Sequence, residues 1–227
     1  MKISAAIMAH PERREHAERV QAALDRPVEI VYDTNPVPSA DPQQRWETGK
    51  RAWEAYDPDS DWHMVIQDDA LPCGEFLAGV EEALSVLGPR GLFSAHTGEG
   101  RRDQVHVHKA WNRALREGHS WMTTRSLCWG VAIAAPTNTI DAMLAWCSQP
   151  VRAEQNYDMR IGRFYRDTLK WRTWYPVPSL ADHADVPSLV GHGQGRTSRV
   201  AHEGSALDID WSITPRTGLP LYTWQAA

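Results

Sequence analysis

The sequence predicts an α/β protein with a mixed, mainly parallel sheet flanked by helices. Two observations carry this. Across residues 3–98, short apolar runs alternate with longer segments of helical spacing, in the order strand–helix–strand–helix–strand–helix–strand. The first three apolar runs also end on polar groups, at His10, at Asp33 and at the pair Asp68–Asp69. In parallel α/β sheets the carboxyl ends of the strands form the rim where ligands bind, so polar strand ends are expected there.

"KISAAIMAH" is the first strand and "PERREHAERVQAAL" the helix after it. Pro11 falls where a first helical turn tolerates a residue without an N–H, and Glu12 sits near the positive end of the helix dipole. Ala17, Val20, Ala23 and Leu24 recur at helical spacing. "VEIVYD" is the second strand, "TNPVPSADP" a proline-rich loop, and "QQRWETGKRAWEAY" a helix with Trp46, Lys50, Trp53 and Tyr56 near one face. "DWHMVIQDD" is the third strand. The helix "CGEFLAGVEEALSVLG" stops at Gly88 and Pro89, and "GLFSAHT" is a short fourth strand. The stretch "GEGRRDQVHVHKAWNRALREGHSW" is basic, through Arg101, Arg102, Lys109, Arg113 and Arg116. Within it "VHVHKAW" alternates as a strand that puts His106 and His108 on one side. "SLCWGVAIAAP" is strand-like, "NTIDAMLAWCS" is a helix with Ile140, Met143, Leu144 and Cys147 inward, "NYDMRIGRFYRDTL" is another helix, and "WRTWYPVPSLADH" is extended. From Gly191 the chain turns polar and glycine-rich. Residues 1–192 are therefore expected to form one domain, and residues 193–227 a flexible loop with a peripheral C-terminal arm.

A chain of 227 residues, 42% hydrophobic and 23% charged, can bury a sizeable core. Its net charge of −5 and pI near 6.0 exclude a generic polyanion binder while leaving room for a local basic face. No apolar run reaches the length of a membrane span, and charge follows the N-terminal apolar run too soon for a secretory signal. Three cysteines without such a signal suggest reduced thiols and a cytoplasmic protein. Eleven tryptophans are many for this length. Some fill core, but flat aromatic faces also serve sugar and base sites.

The chemistry concentrates in "MVIQDDALP", where a buried strand runs into Asp68 and Asp69. The plain reading is a solvated strand end that starts a turn before Pro72. The functional reading is a divalent cation: carboxylate oxygens suit Mg²⁺ or Mn²⁺, which take their remaining ligands from water and substrate phosphates. The order of the pieces resembles the nucleotide-sugar half of a GT-A glycosyltransferase, a Rossmann-like fold, with "IQDDA" similar to that family's DxD-type motif. The resemblance covers most of residues 3–192, with residues 1–98 as donor half and residues 99–192 as acceptor half. It implies that Asp69 binds Mn²⁺ or Mg²⁺, that Asp68 faces ribose or sugar, and that Asp33 recognises the base. The loop "AHPER", with His10, Pro11 and Arg13, would border base and ribose. Gln67 departs from the family pattern by standing at the first acidic position.

The second half carries the resemblance further. "CWGVAIAAP" is similar to the segment lining the acceptor site, with Trp129 and Gly130. "EQNYDMRIGRF" resembles the acidic patch that supplies the base of inverting enzymes, with Asp158 the closest match and Glu154 the second. The plain alternative is that both are acids favoured near a helix N-terminus. "PSLADH" and "PSLVGHG" offer His183, then His192, as a late metal or diphosphate ligand. The "GQGRTSR" loop beyond would fold over the donor and set Arg196 or Arg199 on a phosphate, a bidentate task that suits arginine, and its plain alternative is a disordered polar loop. No P-loop, G-x-G-x-x-G, HExxH, CxxC or G-x-S-x-G motif is present. The expectation is a metal-dependent, inverting glycosyltransferase of the hexosyltransferase type using a nucleotide-diphosphate sugar, UDP-sugar favoured. Its rivals are a non-catalytic nucleotide-sugar-binding module and a nucleotidyltransferase of similar fold. The acceptor stays open among protein, polysaccharide, metabolite and DNA. DNA enters through the basic run from Arg101 to Arg125 and through small phage transferases that modify hydroxylated bases.

Overall fold

The computed structural model describes residues 1–89, 91–98, 105–184 and 201–212. Nine strands and six α-helices are arranged among them. The strands are β1 (Ile3–Ala9), β2 (Glu29–Tyr32), β3 (Trp62–Gln67), β4 (Ala70–Pro72), β5 (Leu92–Ser94), β6 (Trp121–Thr124), β7 (Ala132–Pro136), β8 (Thr173–Pro176) and β9 (Ala181–His183). The helices are α1 (Arg14–Ala23), α2 (Pro42–Glu54), α3 (Phe76–Leu87), α4 (Val105–Arg116), α5 (Ile140–Cys147) and α6 (Tyr157–Arg163).

Seven strands form one sheet in the order β2-β1-β3-β7-β5-β8-β6. β2, β1 and β3 are parallel, with Ala9 opposite Tyr32 and Met8 opposite Gln67. β7 runs antiparallel between β3 and β5, β8 is parallel to β5, and β6 closes the far edge antiparallel to β8. The sheet is thus mixed and mainly parallel, as the sequence predicts. β4 and β9 pair separately as a two-stranded antiparallel ladder, with Ala70 opposite His183.

Alternation along the central strands explains the two-faced core. Successive side chains point to opposite faces of a strand. On β3, Met64 and Ile66 join one cluster with Phe76, Leu77 and Val80 of α3, while Val65 joins the other with Trp46 and Trp53 of α2. β7 behaves likewise: Ala132 and Ala134 face α3's side, and Ile133 and Ala135 face α2 and α5. A strand buried on both faces reads as a continuous apolar run, which is why "AIAAP" and "WHMVI" carry no polar alternation. α2 begins at Pro42, with the Asp41 carboxylate accepting from the Gln43 N–H at 2.9 Å, and buries Trp46, Gly49, Ala52 and Trp53 as an inward stripe. Lys50 is only half-buried and turns to Glu54. α3 ends at Gly88, whose φ of +69° is one that glycine adopts without strain.

Three sequence expectations need correction. Residues 105–108, read as an alternating strand, begin helix α4. The strands β4 and β6 were not expected, because "ALP" and "WMTT" are too short for either to show a period. The segment read as a peripheral arm is, over residues 201–212, packed on the domain. Ala206 sits against Gly79 of α3, and its N–H donates to the Gly74 carbonyl at 2.8 Å. Trp211 is buried with its ring centroid 5.3 Å from that of Trp121, whose indole N–H donates to the Trp211 carbonyl at 3.0 Å. Isolated apolar residues in a polar segment leave no periodicity, so this docking was invisible in the sequence.

Candidate functional site

The parallel pairing of β1 and β3 brings their polar ends together. The Asp68 N–H donates to the Met8 carbonyl at 3.1 Å, and the His10 N–H donates to Asp68 Oδ2 at 2.9 Å. One strand further out, the Asp33 N–H donates to the Ala9 carbonyl at 2.7 Å. After His10 the chain makes one 3₁₀ turn, Pro11–Arg13. That turn lets Arg13 reach back, donating from Nη1 to Asp69 Oδ2 at 2.8 Å and to Asp68 Oδ1 at 3.2 Å.

β4 leaves directly from Asp69, and its ladder with β9 carries His183 to the same place. The Ala184 N–H donates to the Asp69 carbonyl at 2.7 Å, and His183 Nε2 lies 3.2 Å from Asp69 Oδ2. Two residues 114 positions apart in sequence thus meet because a three-residue strand follows the acidic pair at once.

The two carboxylates are nearly buried, at 7% exposure for Asp68 and 8% for Asp69, yet they titrate in opposite directions. Burial, then the neighbouring Asp69 charge, raises the Asp68 carboxyl above its ordinary value. Burial pushes the Asp69 carboxyl up as well, but the hydrogen bond and charge of His183, together with Arg13, outweigh it and hold Asp69 below the ordinary range. Asp69 is therefore the carboxylate held more strongly in its charged form. Its second oxygen, Oδ1, is buried without a partner, as are His10 Nε2 and Thr97 Oγ1. A buried acceptor left unpaired costs on the order of 1–3 kcal/mol, and an arriving cation or hydrogen-bond donor removes that cost.

Among the described residues no group of three or more His, Cys, Asp or Glu side chains is arranged to hold a metal ion. The residues present do fit a cation held by two protein ligands. Asp69 offers a carboxylate with one unpaired oxygen and His183 an imidazole nitrogen beside it, a set suited to Mn²⁺ or Mg²⁺ that draws its other ligands from phosphate and water.

The fourth strand of the rim adds a residue that sequence reasoning missed. His96 lies two positions past β5 and is 3% exposed. Its Nδ1 lies 2.8 Å from the Ala181 carbonyl. A carbonyl only accepts, so Nδ1 carries the proton and Nε2 is left as an acceptor. Burial lowers the His96 imidazole to about 4, so the neutral ring is the form present near neutrality. Its centroid is 6.5 Å from that of His183 and 6.3 Å from that of Trp129, the latter edge-on. The rule that singled out His10 and Asp33 finds His96 when applied to this strand end.

Across the rim, Gly130 stands where a side chain would not fit freely. An added Cβ would lie 3.1 Å from Asp158 Cβ and 3.4 Å from Gln67 Nε2, so the bare glycine brings α6 against the end of β3. Gln67, Gly130 and Asp158 are thereby neighbours, and half-buried Trp129 packs edge-on against Tyr175 at 5.7 Å. Asp158 Oδ1 accepts from the Met159 N–H at 2.8 Å in the first turn of α6. Tyr157 anchors that turn by accepting from Trp53 Nε1 at 2.8 Å.

The structure therefore gathers His10, Arg13, Asp68, Asp69 and His183 on one side, and Gln67, Trp129, Gly130 and Asp158 on the other. Asp33 stays on the rim, with Oδ1 turned to the Asn35 N–H at 2.9 Å, and Pro11 is half-buried in the turn. Glu154 is exposed in the turn before α6 and makes no hydrogen bond or ion pair with the others. His192, Arg196 and Arg199 lie outside the described residues, as do Arg101 and Arg102. Among the described residues no helix is long and apolar enough to cross a membrane. No protein-family model matches the chain, and no curated protein matches it significantly.

Proposed function

We propose that this protein is a GT-A-type glycosyltransferase that moves a sugar from a nucleotide diphosphate, with a UDP-sugar favoured, to an acceptor hydroxyl. The observation that carries the reading is the assembly at the end of β3. There an ionised, partly unpaired Asp69 stands beside His183 and Arg13 at the carboxyl rim of parallel strands. Asp69 and His183 are the residues to hold Mn²⁺ or Mg²⁺, which would supply positive charge for a departing diphosphate. Arg13 contributes a fixed positive charge at the same place, and Asp33 and His10 border the end where base and ribose belong.

On the far side, Asp158 takes the proton from the acceptor hydroxyl while that oxygen attacks the anomeric carbon. The new bond forms opposite the departing diphosphate, which inverts the configuration. Gln67 and Gly130 sit between this aspartate and the acidic pair, on the path the sugar would bridge.

One observation favours a second reading, a nucleotide-sugar-binding module without transfer. Arg13 already donates to both carboxylates and supplies there the charge a cation would bring. Titrating UDP-glucose with and without Mn²⁺, then assaying UDP release, separates the two. Metal-dependent binding accompanied by slow UDP release is expected. Binding with no hydrolysis and no transfer to any acceptor leaves only the module.

A further inference from the structure

Two arginines of this protein hold carboxylates in different ways. Arg26 grips Glu81 fork on fork, Nη1 to Oε1 and Nη2 to Oε2, each at 3.0 Å. Arg13 does not. Both of its bonds to the acidic pair leave from Nη1, at 2.8 Å to Asp69 Oδ2 and 3.2 Å to Asp68 Oδ1. One nitrogen straddling two carboxylates makes no use of the guanidinium fork and acts as a point charge between two anions. That is the part a bound cation plays.

The oxygen that Arg13 takes is one a metal would want. Asp69 Oδ2 also lies 3.2 Å from His183 Nε2. Adjacent ligands on an octahedral Mg²⁺ are about 3 Å apart, so this oxygen and this nitrogen already stand at nearly that spacing. Asp69 is 8% exposed, and its other oxygen, Oδ1, is buried without a partner, an acceptor that Arg13 leaves unanswered. A cation on Asp69 and a guanidinium on the same carboxylate are two positive charges side by side where little water screens them. We propose that Arg13 and a divalent cation are alternative partners of the acidic pair, Arg13 being the internal counter-ion that the metal displaces. This rests on the reading of Asp69 and His183 as cation ligands and adds to it the residue that sets the affinity for metal. The displaced guanidinium keeps its charge, because it does not lose its proton, and it is released at the rim where a diphosphate belongs. The cation takes the space that the side chain gives up.

The test is calorimetric titration of the full chain with Mn²⁺ alone, without nucleotide. Arg13→Met keeps an apolar stem and removes the charge, and it should bind Mn²⁺ about tenfold more tightly than the wild type. Arg13→Lys keeps the charge and should stay near the wild type. Adding Asp69→Asn to Arg13→Met should abolish the gain. An Arg13→Met protein that binds Mn²⁺ as the wild type does, or more weakly, overturns the proposal and makes Arg13 a clamp that shapes the carboxylates. Should Arg13→Met not fold, the wild type carries the test through the guanidinium N–H signals of Arg13, assigned by their absence from Arg13→Lys. These N–H groups should be protected from exchange with water while they hold the carboxylates, and should lose that protection as Mg²⁺ saturates the site. Protection that survives saturation overturns the proposal. If neither the wild type nor Arg13→Met binds either metal, the reading of Asp69 and His183 as cation ligands fails, a result distinct from equal binding by the two proteins.

Discussion

Two buried histidines separate the interior of this molecule from its rim. His63, on β3 under α2, and His96, past the end of β5, are 0% and 3% exposed, and burial lowers both imidazoles to about 4. Neither burial nor titration tells them apart. Their hydrogen bonds do. His63 uses both nitrogens, on Ser4 Oγ and the Ala52 carbonyl, each at 2.9 Å, whereas His96 uses one. The interior follows His63. The guanidinium of fully buried Arg160 donates to the carbonyls of Gln155, Ala153 and Cys147 and to Gln43 Oε1. The rim follows His96, with buried unpaired atoms on Asp69, His10 and Thr97. The contrast holds for these residues and not for every buried atom, since Trp211 Nε1 and Gln155 Oε1 are also buried and unpaired away from the rim.

The contrast breaks if interior and rim substitutions behave alike. The largest expected effect is at Arg160. Arg160→Ala strands several buried acceptors and should lower unfolding free energy by about 3–5 kcal/mol in urea titration. Next is the pH dependence. For a histidine whose folded pKa is depressed, the unfolded chain takes up protons first. The stability is whole above the ordinary 6.5 and is lost as pH falls from there to about 4. Each histidine contributes about 3 kcal/mol over that window, so His63→Gln should flatten the acid limb measured by unfolding at successive pH values.

Gly49→Ala comes third. The new Cβ would lie 2.4 Å from the Tyr157 ring, and overpacking of this kind costs about 1–3 kcal/mol. Because Tyr157 precedes Asp158, the same variant should impair transfer more than UDP binding, which a combined melting and turnover assay reads. The smallest effect belongs to the rim. Asp68→Asn removes a carboxylate that burial and Asp69 already disfavour, and its unfolding free energy near neutral pH should stay within about 1 kcal/mol of the wild type or rise. A loss as large as that at Arg160 would show that the acidic pair is structural.

Much of the site was legible because its parts sit at strand ends. His10, Asp33, Asp68 and Asp69 follow apolar runs, and the rule that parallel strands place their carboxyl ends on one rim needs no coordinates. His183 was legible only by resemblance. Nothing in "PSLADH" reveals that β9 pairs with β4, since three-residue strands have no period to detect. Arg13 was read as bordering a ligand, and its contact with both aspartates depends on a single 3₁₀ turn whose length the sequence did not fix. His96 follows a strand of only three residues, too short for "GLFSAHT" to mark where its end falls.

The sequence by itself determined the α/β alternation, the doubly buried central strands and the charge at their ends, because periodicity and composition are local and survive without a partner. Tertiary structure alone decided which of two adjacent carboxyls is pushed up and which is held down, which histidine keeps a nitrogen free, and that residues 201–212 close onto the domain. Those outcomes depend on which groups from distant segments come within hydrogen-bonding distance once water is excluded, and no stretch of chain carries that information alone.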